Sequence, residues 1–184
     1  FLKNKSDLEQ KLLSLVATLE NEKFPNRVKV SWSDAEPVYE ALGPVLKKMG
    51  VQHKMSPPGR HDKNGVPERK VQTIFWNAFA CMVVGGSPPS TDFKHALIHM
   101  NYVSNHTPTN ANPDKLTPEE VYLGRRLPTS RLLAQGIMFQ RCLFKMGEDW
   151  VPGIFLGVSE SHQAYTIRSL RTSRLVHSVT LKFE

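Results

Sequence analysis

Apolar residues recur along this chain with two different periods, and the change of period divides it. Leu8, Leu12, Leu15, Val16 and Leu19 fall at helical spacing and predict one buried helix face. Ser6, with Glu9 three residues on, reads as its capping box, and Phe1 and Leu2 could finish a preceding strand. Lys23 to Arg27, with Pro25, break the pattern. Val28, Val30 and Trp32 then alternate with polar residues, which predicts a strand buried on at least one face and ending at Ser33-Asp34. Val38, Ala41, Leu42, Val45, Leu46 and Met49 predict a second helix that Gly43-Pro44 kinks or restarts. Val51 to Met55 reads as a short strand. The order helix, strand, helix, strand favours a parallel α/β arrangement.

The stretch that organises the chain is 61–84, HDKNGVPERKVQTIFWNAFACMVV. A polar loop over 56–66 leads to Pro67, which suits a first helical turn because its missing N–H has no partner there anyway. Val71, Ile74, Phe75, Ala78 and Met82 predict one apolar face on the helix that follows and ends at Gly85-Gly86. Glu68 stands in its first turn. That position suits an ordinary acid favoured by the helix dipole, and equally a carboxylate offered to a metal at the mouth of a loop. A further helix carries Phe93, Ala96, Leu97, Met100 and Val103. On it His95 and His99 are four apart, a zinc-compatible spacing without an evident third ligand. Thr117-Pro118-Glu119-Glu120 predicts a capped short helix ending near Gly124.

After Pro128 the period shortens to strands: Ile137–Phe144, Gly153–Val158, Ala164–Arg168 and Leu175–Phe183, the last with Leu175, Val179, Leu181 and Phe183 on one face. This predicts two domains, 1–130 and 131–184, the second a small antiparallel barrel or sheet that needs its neighbour to be stable. Charge follows the same division. Residues 124–184 carry nine Lys/Arg against four Asp/Glu, a net +5, whereas 1–123 carry fifteen against thirteen. A basic terminal module suits a polyanion, nucleic acid first, as well as plain solubility or an acidic protein neighbour. Two cysteines, Cys81 and Cys142, are too few for a zinc site and fit an intracellular reducing compartment, in the nucleus or an organelle. No run of 18 apolar residues suggests a membrane span. The opening FLKNKS stands mid-pattern, as though cut from something longer, which leaves room for an unseen leader or upstream domain.

Several stretches resemble, in order, the integrase region of copia-type retrotransposon polyproteins. FLKNKSD looks like the family's "lksKs", VSWSDAEPVYEAL like "lRSDnGgEF", MGVQHKMSPP like "GIxHxxSxP", and HDKNGVPERK like "PxQNGVxER". FKHALIHMNYVSNHTPT is similar to "WxxAxxxAxYxxNxxPt", and LTPEEVYLGRRLPTSRLLAQG to "TPyExwxGxkPxxxxLrxFG". GIFLGVSESHQAYTIRSL and LVHSVTLKFE resemble the closing "GxFlGYxxxxkxYrv" and "xxxRdVxFxE". The resemblance implies an α/β fold: an incomplete RNase H-like integrase core followed by a small SH3-like β-barrel. It implies strand transfer of DNA ends by Mg²⁺ ions held on three carboxylates, hard oxygen donors whose repulsion the cations offset. By motif match Asp34 is the second family Asp and Glu68 the family Glu, the two catalytic and metal-binding candidates. Thirty-three residues lie between them. That is slightly fewer than the family usually has, the shortfall falling in SDAEP, which lacks the usual two-glycine turn.

Asn64 and Gly65 match the family's loop, and Arg69 and Lys70 match its basic pair after Glu, so Arg60, Asn64, Arg69 and Lys70 are candidates for phosphate contact. In the terminal module Arg168, Arg171, Arg174 and Lys182 are the candidates, with a solvated face as the alternative. The family's first Asp belongs on an earlier strand. Asp7 is the only earlier Asp here, and it falls at a helix cap; the N-terminal zinc module and first three strands also look absent. Two of three ligands remain, and strand edges and an apolar face are expected to need covering by a protein partner or an unseen segment. The favoured expectation is an integrase-derived chain, not catalytic alone, serving as a nucleic-acid-binding or scaffolding subunit. The alternative is part of an active Mg²⁺-dependent integrase. A third is an unrelated nuclease using Asp34, Glu68 and Glu36.

Overall fold

In a computed structural model the structure describes residues 7–23, 25–35, 37–57, 65–86, 89–128, 137–159 and 161–184. Phe1, Leu2, Ser6, Glu36, Arg60 and Asn64 lie outside them. The chain forms two compact units, Phe1–Arg69 and Lys70–Glu184. It is mixed α/β, with a parallel strand pair in the first unit and an antiparallel sheet in the second.

In the first unit, α1 (Leu8–Glu22) precedes β1 (Val30–Ser33), and α2 (Pro37–Glu40) and α3 (Gly43–Lys48) precede β2 (Gln52–Met55). Gly43-Pro44 restarts the helix, because proline at its start gives up no hydrogen bond. Strands β1 and β2 pair in parallel from Val30↔Gln52 to Ser33↔Met55. The core is Val16, Leu42, Leu46 and Val51, with Leu8, Leu12, Val28 and Tyr39 packed on it. Two expectations are overturned. Leu15 is exposed on α1, because the stripe Leu8–Leu12–Val16 alone faces this core. On β1 the apolar side faces outward: Val30 and Trp32 are 40% and 53% exposed, while Ser31 and Ser33 are half-buried. The residue before α1 is Asp7, in helical conformation and without a side-chain cap bond.

In the second unit the remainder of α4 (Gly65–Gly85), α5 (Pro89–Asn105) and α6 (Pro118–Leu123) accompany five strands: β3 (Arg141–Met146), β4 (Asp149–Ser159), β5 (Ala164–Ser169), β6 (Leu175–Ser178) and β7 (Leu181–Phe183). Their order is β6-β5-β4-β3-β7, antiparallel throughout. Cys142, Phe144, Val151, Phe155 and Ile167 form the core of the sheet. Ala78 and Met82 of α4, Ala96 of α5, and Met138, Phe139 and Leu156 form a second core between helices and sheet. A β-bulge between Phe155 and Gly157 joins the two. Strand alternation points Phe155 into the sheet core and Leu156 into the helix core, both essentially buried. Each such buried side chain is worth roughly 1.5–3 kcal/mol, so the strands are stabilised by the helices, as their small number requires.

Three further expectations change here. Val71 and Phe75 are 67% and 44% exposed; of the α4 face only Ala78 and Met82 are fully buried. The last predicted strand is two, because Ser178 turns the chain, its hydroxyl accepting from the Thr180 amide and donating to the Thr180 carbonyl. That turn leaves Leu175 and Val179 exposed and puts Val176 against the core instead. The capping box of α6 forms as predicted. Thr117 Oγ1 accepts from the Glu120 amide at 3.1 Å, and Glu120 accepts from the amides of Thr117 and Leu127 at 2.9 and 3.0 Å. These backbone donors, Thr117 first, hold the Glu120 pKa low, and Gly124 closes the helix in left-handed conformation at φ 68°.

Candidate acidic site and nucleic-acid interface

Asp34 follows the last residue of β1 directly and is exposed. In a parallel pair the carboxyl ends of the strands are where α/β folds present ligand-binding groups. Two contacts shape this end. Ser33 Oγ lies 2.8 Å from His53 Nε2, joining β1 to β2, and the Ser56 amide donates to the Ser33 carbonyl at 3.0 Å. Ser56 is buried, and its hydroxyl has no hydrogen-bond partner among the described residues. The SPP turn signal after β2 hinted at a loop there but not at an orphan hydroxyl.

Glu68 stands in the first turn of α4 and is also exposed. Asp34 and Glu68 offer hard oxygen donors of the type Mg²⁺ prefers. Among the described residues no group of three His, Cys, Asp or Glu is placed to hold a metal ion. The donor set therefore fits Mg²⁺ in kind and falls short in number. Glu36, the third acid of the nuclease reading, lies outside the described residues.

The two histidines of α5 part company. His99 is 3% exposed, edge-on to Phe155 at 5.6 Å, and burial pushes its pKa down to about 4. It is a neutral core residue. A Cβ on Gly157 would approach its Nδ1 to 3.0 Å. His95 is half-buried, and its pKa is lowered mainly by burial. Cys81 and Cys142 are both free, and burial raises both thiol pKa values, Cys142 to about 11. Neither is a ready nucleophile at neutral pH.

Of the basic candidates, Arg69 is exposed on α4, and Lys70 is half-buried with its Nζ donating to Ser104 Oγ. Arg168 is ion-paired with Asp92, a 2%-exposed carboxylate in the first turn of α5. That pair ties the helix start to β5. Arg171 and Arg174 are exposed beyond β5. Lys182 lies over the Trp150 ring at 4.2 Å, with Lys145 at 5.6 Å from the same ring. Lys145 pairs with Trp150, and Lys182 with Leu143, so these side chains share the sheet face opposite the core. Trp150 and Lys145 were missed from the sequence. The signal was available in KMGEDW, a hairpin whose glycine sets the two strands in register.

No family model matches the chain. Two curated proteins align with all of it: the retrovirus-related Pol polyprotein from transposon RE1 of Arabidopsis thaliana, 27% identical over 188 residues, and that from transposon RE2 of the same plant, 25% identical over 188 residues. The chain spans 13% of the length of each. Among solved structures, a chain of the cryoEM structure of the simian T-cell lymphotropic virus intasome in complex with PP2A regulatory subunit B56 gamma matches 99% of this chain. The match covers 65% of that chain, with a TM-score of 0.52 and 18% identity, a likeness of fold. Taken with the ordered motifs, these matches make the chain similar to the integrase region of retrotransposon Pol polyproteins.

Proposed function

We propose that this chain is an integrase-derived, nucleic-acid-binding subunit that works inside a larger assembly and is not catalytic alone. The observation that carries the reading is the apolar surface each unit leaves exposed. In the first, Val30 and Trp32 are exposed along β1; in the second, Trp76, Phe79 and Val83 recur at helical spacing on α4 and are 57%, 42% and 66% exposed. Contiguous surface of this kind marks a place where something else packs. A protein partner, or a segment completing the sheet beside β1, would cover it. The relative of similar fold belongs to an intasome and stands in complex with another protein, which supports the same arrangement here. The quoted motifs favour a copia-type element as the ancestor. The reading of the C-terminal sheet as an SH3-like barrel is supported by the Ser178 hydroxyl reaching the Lys145 carbonyl at 3.3 Å, from β6 to β3.

Nucleic acid would meet the chain through Arg171, Arg174, Lys145 and Lys182, with Trp150 between the two lysines. Four phosphate contacts would give a log–log salt slope of about −3 to −4, and Arg171→Ala would reduce it by about 1. Duplex binding measured between low and physiological salt tests this; a flat response removes phosphate contact as its basis. Intact-mass analysis of the native particle tests the assembly. A lone 20.8 kDa chain would sink it.

A second reading, part of an active Mg²⁺-dependent strand-transfer enzyme, is favoured by Asp34 at the carboxyl end of β1 and Glu68 in the first turn of α4. Those two would hold the ion, with a third carboxylate from elsewhere. Metal bound at such a site activates an attacking oxygen and stabilises the leaving one. Strand transfer by the purified native particle, lost in Glu68→Gln, would favour this reading over the first.

A further inference from the structure

We propose that the cleft between α5 and the five-stranded sheet binds a phosphate monoester with a flat or apolar body, a mononucleotide being the simplest such ligand. The cleft lies wholly within the second unit and encloses about 430 Å³, within the size range of small-molecule sites. Its apolar lining is Ile98 from α5 facing Leu156, Val158 and Leu175 from the sheet. Its polar lining is rich in donors: Lys94 and His95 from α5, His177 from β6, and the hydroxyls of Ser159 and Thr166. Among the described residues no carboxylate lines it. That combination leaves room for a planar group on one side and demands negative charge on the other.

The imidazoles are held in place by their neighbours. His162 stacks on His177, with centroids 4.0 Å apart and rings within 10° of parallel. Nδ1 of His162 lies 2.9 Å from Ser159 Oγ and 3.0 Å from Ser161 Oγ, and Nδ1 of His177 lies 3.4 Å from Thr166 Oγ1. With Nδ1 engaged, Nε2 of each ring is the nitrogen a ligand can reach. Nearly parallel stacked rings do not converge their lone pairs on one ion, and no described group of three ligands surrounds a metal, which argues against zinc. A phosphate monoester suits the cluster better. Its three terminal oxygens accept from several donors at once, and Lys94 offsets part of its charge.

The local field agrees. Burial is the main cause of the lowered His95 pKa; Asp92 opposes it, while Lys94, Arg168 and His177 add to it. His177 is lowered by burial and then by His162. Asp92 is paired with Arg168, and among the described residues no carboxylate lines the cleft. The site is independent of Asp34 and Glu68 and of the assembly reading above.

The ligand could come free or as the phosphorylated end of a single strand; the chemistry is shared. Imidazole NMR and calorimetry on the 184-residue chain would use AMP, adenosine and two single-stranded oligonucleotides, one 5′-phosphorylated and one 5′-hydroxyl. We expect AMP to shift the His162 and His177 resonances and to bind at least about 10-fold more tightly than adenosine. Lys94→Met and His177→Gln should each weaken AMP about 10-fold and leave adenosine unchanged. Both positions are exposed, and unchanged amide spectra elsewhere check that the fold is kept. Tighter binding of the 5′-phosphorylated strand than of AMP and of its 5′-hydroxyl twin assigns the site to nucleic-acid ends; no such gain assigns it to free nucleotide. Equal affinity for AMP and adenosine, absence of shifts, or indifference of both variants overturns the proposal.

Discussion

Removing the His99 imidazole should abolish a defined part of the acid sensitivity of the second unit. His99 is 3% exposed, its Nδ1 has no hydrogen-bond partner among the described residues, and Phe155 and Gly157 close around it. Burial holds its folded pKa at about 4, against the 6.5 of an unperturbed histidine. Above pH 6.5 the ring is neutral in both states and folding keeps its full stability. As pH falls below that value the unfolded chain takes up a proton that the folded ring refuses. Stability then drops by roughly 1.4 kcal/mol per pH unit until the folded ring protonates near pH 4. Between pH 7.5 and pH 5 the loss from this one group comes to about 2 kcal/mol.

His99→Leu keeps an apolar side chain of similar bulk and removes the titration. Urea unfolding followed by tryptophan fluorescence at pH 7.5 and pH 5 gives four stabilities, and the double difference isolates His99 from other titrating groups. His95 and His177, also shifted downward, contribute equally to both proteins and cancel. The wild type should lose about 2 kcal/mol more than the variant over that interval. Equal losses would refute the reasoning. So would a His99 Hε1 proton resonance titrating near pH 6.5, because the ring would then be reaching water.

Three other outcomes follow from single contacts. Asp92→Asn should destabilise the second unit by about 2 kcal/mol, less than loss of a fully buried pair would cost because part of the Arg168 side chain is exposed; a thermal melt checks this, and Asp92→Asn with Arg168→Met should recover part of the loss. Gly157→Ala should cost about 2 kcal/mol or more by urea unfolding, since φ is 122° and the new Cβ would meet His99 at 3.0 Å; adding His99→Ala should recover the steric part alone. Glu68→Gln should leave stability within about 0.5 kcal/mol, as for an exposed surface position; marked unfolding would make Glu68 a structural cap.

Several local signals read from the sequence survived where neighbouring residues settle the outcome. The Thr117–Glu120 capping box needs only four residues and forms as written. The restart at Gly43-Pro44 and the parallel pairing of β1 with β2 follow from proline chemistry and element order. Long-range choices were not legible. Arg168 read as one basic residue among several, and nothing near it in sequence pointed to Asp92 as its partner. His99 read as half of an i, i+4 metal pair, whereas its surroundings come from a bulge in β4. The partition of Phe155 and Leu156 between two cores, by contrast, follows the strict alternation of a strand, with Val151 on the side of Phe155 and Ile154 on the side of Leu156.

The failures of burial share a direction, and that direction carries the functional argument. Val30, Trp32, Val71 and Phe75 were expected inside on period alone, and all four are exposed. On α4 the residues beside Val71 and Phe75 behave as predicted: Ala78 and Met82 are buried. A wrong period would have displaced these too. On α4 the period is therefore right, and the covering surface is not supplied by the described residues. Hydrophobic pattern reports the burial a sequence is built for, whereas accessibility reports the burial this chain achieves. The difference between them, seen on β1 and α4 as well as at Leu15, Leu175 and Val179, is what we read as the footprint of a partner.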